Sequence, residues 1–184
     1  MVKIPKVAVL TGFGINCDLE TMAVFEMAGA KAHRVHVNSL VNGEDSLNNY
    51  HIMAVPGGFS FGDHLGSGRL LGNRLRFGIR EQVRNFVKDR KPVIGICNGF
   101  QILLEVGLLP GAMMRNRDLS FICEDVYVKV EKASTPFTKS YKSGQILKLP
   151  IAHAEGNYYT DTVMLSSLQA NAQIVFRYCT ADGQ

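Results

Sequence analysis

The sequence predicts a single doubly wound α/β domain over residues 1–184, with a mostly parallel central sheet. Short apolar runs rich in β-branched residues and free of charge, Val7–Leu10, Ile52–Val55 and Val93–Ile96, read as strands buried on both faces. Stretches at helical spacing alternate with them. Val93–Ile96 also breaks sharply at Cys97-Asn98-Gly99, then resumes at Phe100, Leu103, Leu104 and Leu108, again at helical spacing.

In chain order, Val7–Leu10 is the first strand, and 11–16 form a loop at its carboxyl end. Asp18 is placed to cap a helix that carries Met22, Phe25 and Met27 and stops at Gly29. Residues 32–37 alternate as a second strand, with His33 and His36 on opposite faces. The two therefore share no metal, and solvated or edge positions suit them. Ile52–Val55 is followed by a glycine turn, Pro56-Gly57-Gly58-Phe59-Ser60, and 61–69 are too polar and glycine-rich for a core. One helix is expected over 70–88, with Leu71, Leu75, Ile79, Val83, Phe86 and Val87 inward. Its charges, Arg74 to Lys88, form a solvated face. The helix after Cys97 ends at 107–111. Strands are expected at 121–131, 146–152 and 173–178, a turn-rich insert at 134–143 and a helix at 163–171.

Composition excludes several function classes. The hydrophobic fraction of 46% supports a real core, and the +4 net charge is scattered, without the block of like charge that marks a nucleic-acid arm. No apolar run approaches a membrane span. Met1–Lys6 lack the apolar region of a secretory signal, so a cytoplasmic protein is expected. The 4 cysteines, Cys17, Cys97, Cys123 and Cys179, show no metal or disulfide spacing, which suits a reducing compartment. No metal site is expected. The G-x-G at Gly12 lacks the third glycine of a dinucleotide fingerprint, and no phosphate-binding Walker loop is present.

The chemistry concentrates at Cys97. A sharp turn from a buried strand into a helix, with Gly95 and Gly99 at i−2 and i+2, is the geometry of a nucleophile elbow. A Cβ at either glycine would crowd the turn, and glycine also tolerates unusual φ/ψ. The thiol lies at the carboxyl end of a strand, where open α/β sheets bind ligands. The helix N-terminus favours a thiolate, and the Asn98 N–H points where an oxyanion forms. A free cysteine is otherwise a small buried hydrophobe. The flanking glycines favour the nucleophile. From the glycines alone, Gly57-Gly58 is an ordinary turn.

Gly95-Ile96-Cys97-Asn98-Gly99-Phe100-Gln101 resembles the nucleophile motif of the class I glutamine amidotransferases. Stretches 56–63, 116–123 and 149–158 are similar to other motifs of that family, in its branch of purine-biosynthetic glutaminases, and the resemblance runs from Lys6 to Gly183. It implies a flavodoxin-like fold and glutamine hydrolysis to glutamate and ammonia through a Cys97 γ-glutamyl thioester. By the same resemblance Gly58 supplies the second oxyanion donor beside Asn98, and Gly57, Phe59 and Gln101 bind glutamine. The implied partners are a synthetase subunit and a small accessory subunit. The synthetase, not this chain, would use ATP and Mg to convert formylglycinamide ribonucleotide to formylglycinamidine ribonucleotide. This chain would need no cofactor.

The family's base and its orienting carboxylate lie in a His-Pro-Glu motif near the C-terminus, and no His-Pro occurs here. The resemblance thus implies a C-terminally shortened domain without the last strand and helix, and an unprotected sheet edge or apolar face is expected. His153 and Glu155 have the same His-x-Glu spacing and could serve as base and orienting group. They align, however, with a separate family motif, usually Ala-His-Gly-Glu-Gly, which favours a structural or partner-facing role. A non-catalytic module that docks on the synthetase, and a hydrolase or chaperone with an elbow cysteine, are the competing readings.

Overall fold

The computed structural model describes residues 4–184, so the reading of Met1–Lys3 lies outside the described residues. The chain divides into two compact units, one up to Leu109 and one from Pro110 to Gln184.

The first unit is a four-stranded parallel sheet in the order β2-β1-β3-β4. Its strands are β1 (Lys6–Thr11), β2 (Lys31–His36), β3 (Ile52–Val55) and β4 (Val93–Gly95). The register pairs Val9 with Arg34 and Ala54, and Ala54 with Ile94. The alternation of side chains divides β1 cleanly. Ala8 and Leu10 join Met53, Val55, Leu71, Leu75, Phe86 and Ile102 in one core. Val7 and Val9 join Ala32 and Ala54 in another, against Met22 and Phe25. Helices thus cover both sheet faces, α1 (Asp18–Met27) on one and α3 (Arg69–Gly78), α4 (Arg80–Lys88) and α5 (Asn98–Val106) on the other. This is the doubly wound, flavodoxin-like arrangement the sequence predicts.

Local chemistry corrects several expectations. Asp18 does not cap α1. Cys17 holds the cap position, without a side-chain bond, and Asp18 is buried as the first helical residue, paired to Arg34 Nη2 at 2.8 Å. Burial disfavours its charge, yet bonds from the Thr11 hydroxyl and Arg34 hold its carboxyl below the usual carboxylate range. The stop at Gly29 is as expected: Ala30 N–H bonds Phe25 O at 3.0 Å and Gly29 N–H bonds Glu26 O at 2.9 Å, a Schellman end. The helix expected over 70–88 is two helices, α3 and α4, broken at Ile79 (φ −132°, ψ 27°), whose side chain is buried. Val87 is exposed rather than inward, while the charges from Arg74 to Lys88 do form a solvated face. His33 and His36 do lie on the sheet's edge strand, β2, and His36 is exposed, but His33 is half-buried, its ring edge-on to Tyr50 at 5.7 Å. A short helix, α2 (Val37–Val41), follows β2, and His36 Nδ1 accepts from the Asn38 N–H at its start.

In the second unit the strands are antiparallel. β6 (Ile122–Val130) pairs with β7 (Ile146–His153) on one side and β9 (Phe176–Cys179) on the other. Two short strands absent from the sequence reading, β5 (Ala112–Met114) and β8 (Asn157–Tyr159), pair with each other. Val128 and Val130, which alternate onto one face of β6, are buried, while Glu124 on the same face is exposed. α6 (Thr162–Ala170) starts at Asp161, whose carboxylate accepts from the Met164 N–H at 2.7 Å. Tyr158, Tyr159, Phe176 and Tyr178 are exposed.

Candidate active site

Between β4 and α5 the backbone turns at Cys97 with φ 53° and ψ −114°, a conformation that an L-residue adopts only under strain. Its neighbours hold it there. Ile96 N–H bonds Val55 O at 3.0 Å, tying the turn to β3, and Phe100 N–H bonds Cys97 O at 2.9 Å. The flanking glycines are needed for space rather than for φ. A Cβ on Gly95 would stand 2.5 Å from Gly99 O, and one on Gly99 would overlap the Val55 carbonyl. The thiol is exposed, at the N-terminus of α5.

Facing the elbow is the loop after β3. Gly57 is buried, and a Cβ there would lie 3.3 Å from Cys97 Cβ. Gly58 has φ 141°, and a Cβ on it would overlap Gly14 O. Phe59 N–H bonds Gly14 O at 2.7 Å and Phe61 N–H bonds Phe13 O at 2.9 Å, so the loops after β1 and β3 brace each other. Phe59 itself is exposed. Gly57, Gly58, Phe59, Cys97, Asn98 and Gln101 all belong to this unit; Gly57 lies against Cys97, and Asn98 bonds both Gln101 and Ser60 of the loop that carries Gly58 and Phe59.

The clamp between the two loops is a side chain that sequence reasoning valued only for its backbone. Asn98 is 1% exposed. Its Oδ1 accepts from the Ser60 N–H at 3.1 Å, and its Nδ2 donates to Gln101 Oε1 at 2.9 Å and to Asp63 Oδ1 at 3.2 Å. Asp63 organises the next turn, accepting from Gly68 N–H and the Ser67 hydroxyl. Phe61, Gly62 and Asp63 all have positive φ, so this polar segment is a wound turn rather than an open loop. A polar pair at the start of a helix and in a glycine loop was the available signal; the distance between them was not.

His153 and Glu155 belong to the second unit. His153 ends β7 and Glu155 is half-buried in the turn after it. The hub of this turn is Asn116, 4% exposed. Asn116 Nδ2 donates to Ser120 O and His153 O, both at 2.8 Å. Its Oδ1 accepts from the Gly156 N–H at 3.0 Å and lies 2.9 Å from His153 Nδ1. With the amide oriented by those carbonyls, His153 Nδ1 is the donor, which fixes the tautomer. A Cβ on Gly156 would overlap the His153 ring. The ring is thus packed as part of the turn.

Among the described residues no group of three or more His, Cys, Asp or Glu could hold a metal, and no helix is long and apolar enough to cross a membrane.

Residues 4–184 match the model of the CobB/CobQ-like glutamine amidotransferase domain. The chain is 45% identical over 181 residues to the phosphoribosylformylglycinamidine synthase subunit PurQ of Moorella thermoacetica, covering 97% of this chain and 73% of that protein. It is 41% identical over 179 residues to the PurQ subunit of Methanocaldococcus jannaschii, covering 97% and 74%. Among solved structures, PurLQS from Thermotoga maritima superposes with a TM-score of 0.79 at 34% identity, over 97% of this chain and 76% of that one. A glutamine amidotransferase from the same organism, at 14% identity and TM-score 0.56 over 85% and 63%, shares the fold. The chain therefore belongs to the CobB/CobQ-like glutamine amidotransferase family, in its PurQ branch.

Proposed function

We propose that this chain is the glutaminase subunit of a phosphoribosylformylglycinamidine synthase. Cys97 attacks the side-chain amide carbon of glutamine, the proton of its thiol passes to the leaving nitrogen, the C–N bond breaks, and ammonia departs. Water then hydrolyses the γ-glutamyl thioester to glutamate and frees the thiol. The N–H groups of Gly58 and Asn98 hold the tetrahedral oxyanion, each donor worth about 3–4 kcal/mol in the barrier. Gly57, Phe59 and Gln101 border the glutamine. The ammonia passes to a synthetase subunit, assembled with a small accessory subunit in the cytoplasm, which uses ATP and Mg on formylglycinamide ribonucleotide. The relatives' names support the partner, and the docking-only reading is not favoured.

The observation that carries this reading is the strained φ of Cys97 between Gly95 and Gly99. A glutamine-like diazoketone tests it: one adduct is expected on the folded chain, mapped to Cys97. An unlabelled protein, or one labelled elsewhere, overturns the assignment.

For His153 the bonds to Asn116 support the structural role. His153→Ala is expected to lower stability by about 1–2 kcal/mol, the cost of the lost bond to Asn116 Oδ1, which keeps only the Gly156 N–H, and of the ring packed on Gly156. Diazoketone labelling should stay within a few-fold of the parent rate. A fall of about 10²-fold or more in a folded variant would give the base role back to His153.

A further inference from the structure

Gly57 lies beside two cysteines. The position a Cβ would take on Gly57 is 3.3 Å from Cys97 Cβ and 3.8 Å from Cys17 Sγ. Because residue 57 has no side chain, nothing of its own fills the space between them. Both cysteines are exposed, and neither is in a disulfide. The backbone of Cys17 is fixed in place: its N–H bonds Gly57 O at 3.2 Å, and its carbonyl accepts from the Thr21 N–H at 3.1 Å and the Thr21 hydroxyl at 2.6 Å. Cys123 and Cys179 belong to the second unit.

We propose that Cys17 is a resolving thiol for Cys97, so that oxidation by a peroxide closes the site reversibly as a Cys17–Cys97 disulfide. In the first step the Cys97 sulfur attacks one oxygen of the peroxide. An S–O bond forms, the O–O bond breaks, and the departing oxygen takes a proton and leaves as water or an alcohol. Sulfur is oxidised by two electrons and the peroxide is reduced by two. In the second step the Cys17 sulfur attacks the Cys97 sulfur, the S–S bond forms, the S–O bond breaks, and the hydroxide leaves with the Cys17 proton as water. A thiol reductant reverses the bond by exchange. Without Cys17 the sulfenic acid stays open to further, irreversible oxidation.

The surroundings of Cys17 suit the second role rather than the first. Partial desolvation, with the negative groups of Glu20, Cys97 and Asp18 nearby, pushes its thiol up from the ordinary value. Cys17 therefore remains a thiol at neutral pH until an electrophilic sulfur forms beside it. The consequence for activity rests on Cys97 being the glutaminase nucleophile, whereas formation of the bond does not.

The test treats the full chain with a small excess of hydrogen peroxide, blocks remaining thiols under denaturing conditions, and maps the peptides. The expected product is a Cys17–Cys97 linked peptide lighter by two hydrogens, formed as diazoketone labelling disappears, with labelling restored by dithiothreitol. Cys17→Ser should label as the parent before oxidation. After peroxide it should lose labelling in a form that dithiothreitol does not restore. If Cys97 labels with the diazoketone but oxidises without a link to Cys17, or links to Cys123 or Cys179, the resolving role fails and the glutaminase reading stands. If the link forms in a protein that the diazoketone never labels, the glutaminase reading fails and the disulfide stands.

Discussion

Cys97→Ala is expected to abolish glutamine hydrolysis, by about 10⁴-fold or more, as removal of a covalent nucleophile does elsewhere. Its melting temperature should stay at the parent value. Alanine keeps a Cβ, so the cost of φ 53°, ψ −114° remains, roughly 1–3 kcal/mol. Cys97→Gly is equally inactive but behaves differently in stability. Glycine adopts that backbone without strain and gives back about 0.5–1 kcal/mol through the freedom of the unfolded chain. The net expectation is a gain of about 1 kcal/mol, or about 2–4 °C in melting temperature for a chain of this size. Thermal melts of the three proteins decide it. If Cys97→Gly melts at or below the parent, the turn stores no strain, and the argument that the fold aims this thiol loses its energetic basis. The holding bonds, Ile96 to Val55 and Phe100 to Cys97, continue the β3–β4 pairing by one residue and close the first turn of α5. The strain is therefore offset by elements that form in any case, which is how a scaffold keeps an unfavourable conformation at a site.

The elbow was legible because its requirement is local. Glycines at i−2 and i+2 around a cysteine, between an apolar run and a helical one, admit few arrangements, and β1, β3 and β4 are equally plain as uncharged β-branched runs. Their reason was only half legible, since Gly95 and Gly99 serve close approach of Gly99 O and Val55 O and neither has positive φ. What stayed hidden depends on contacts distant in sequence. Asp18 has the composition of a cap, but Arg34, on the neighbouring strand, draws it into a buried pair. The periodicity of 70–88 is continuous through Ile79, because a kink that keeps the apolar side inward leaves the pattern intact. β5 and β8 are three residues each, too short for alternation to show. Asn116 stood inside a recognisable motif. Its four bonds to Ser120, His153 and Gly156 are visible only once β7 brings residues 153–156 beside it.

Asn98→Ala is the other change with a large expected effect, although no reacting atom is touched by the amide it removes. The substitution orphans the buried Ser60 N–H and leaves the Asp63 and Gln101 oxygens without that donor. A loss of about 2–3 kcal/mol in stability is expected. Glutamine hydrolysis should fall by about 10²-fold, because both proposed oxyanion donors ride on loops that this side chain ties together. Asn98→Asp separates the clamp from mere packing. The aspartate could still accept from Ser60, but it would place a negative charge in a site 1% exposed, against Asp63 and Gln101 Oε1. Burial and the Asp63 charge both raise its folded pKa above the unfolded value of about 3.9. The sign follows. Relative to the parent, the variant is least impaired at low pH, where the protonated acid can donate to Asp63, and the deficit grows as pH rises through the raised pKa. The gap in melting temperature between Asn98→Asp and the parent should therefore be wider at pH 7.5 than at pH 5. A gap that is constant with pH would mean that the amide donates nothing to Asp63 and that loop and elbow are held by packing alone.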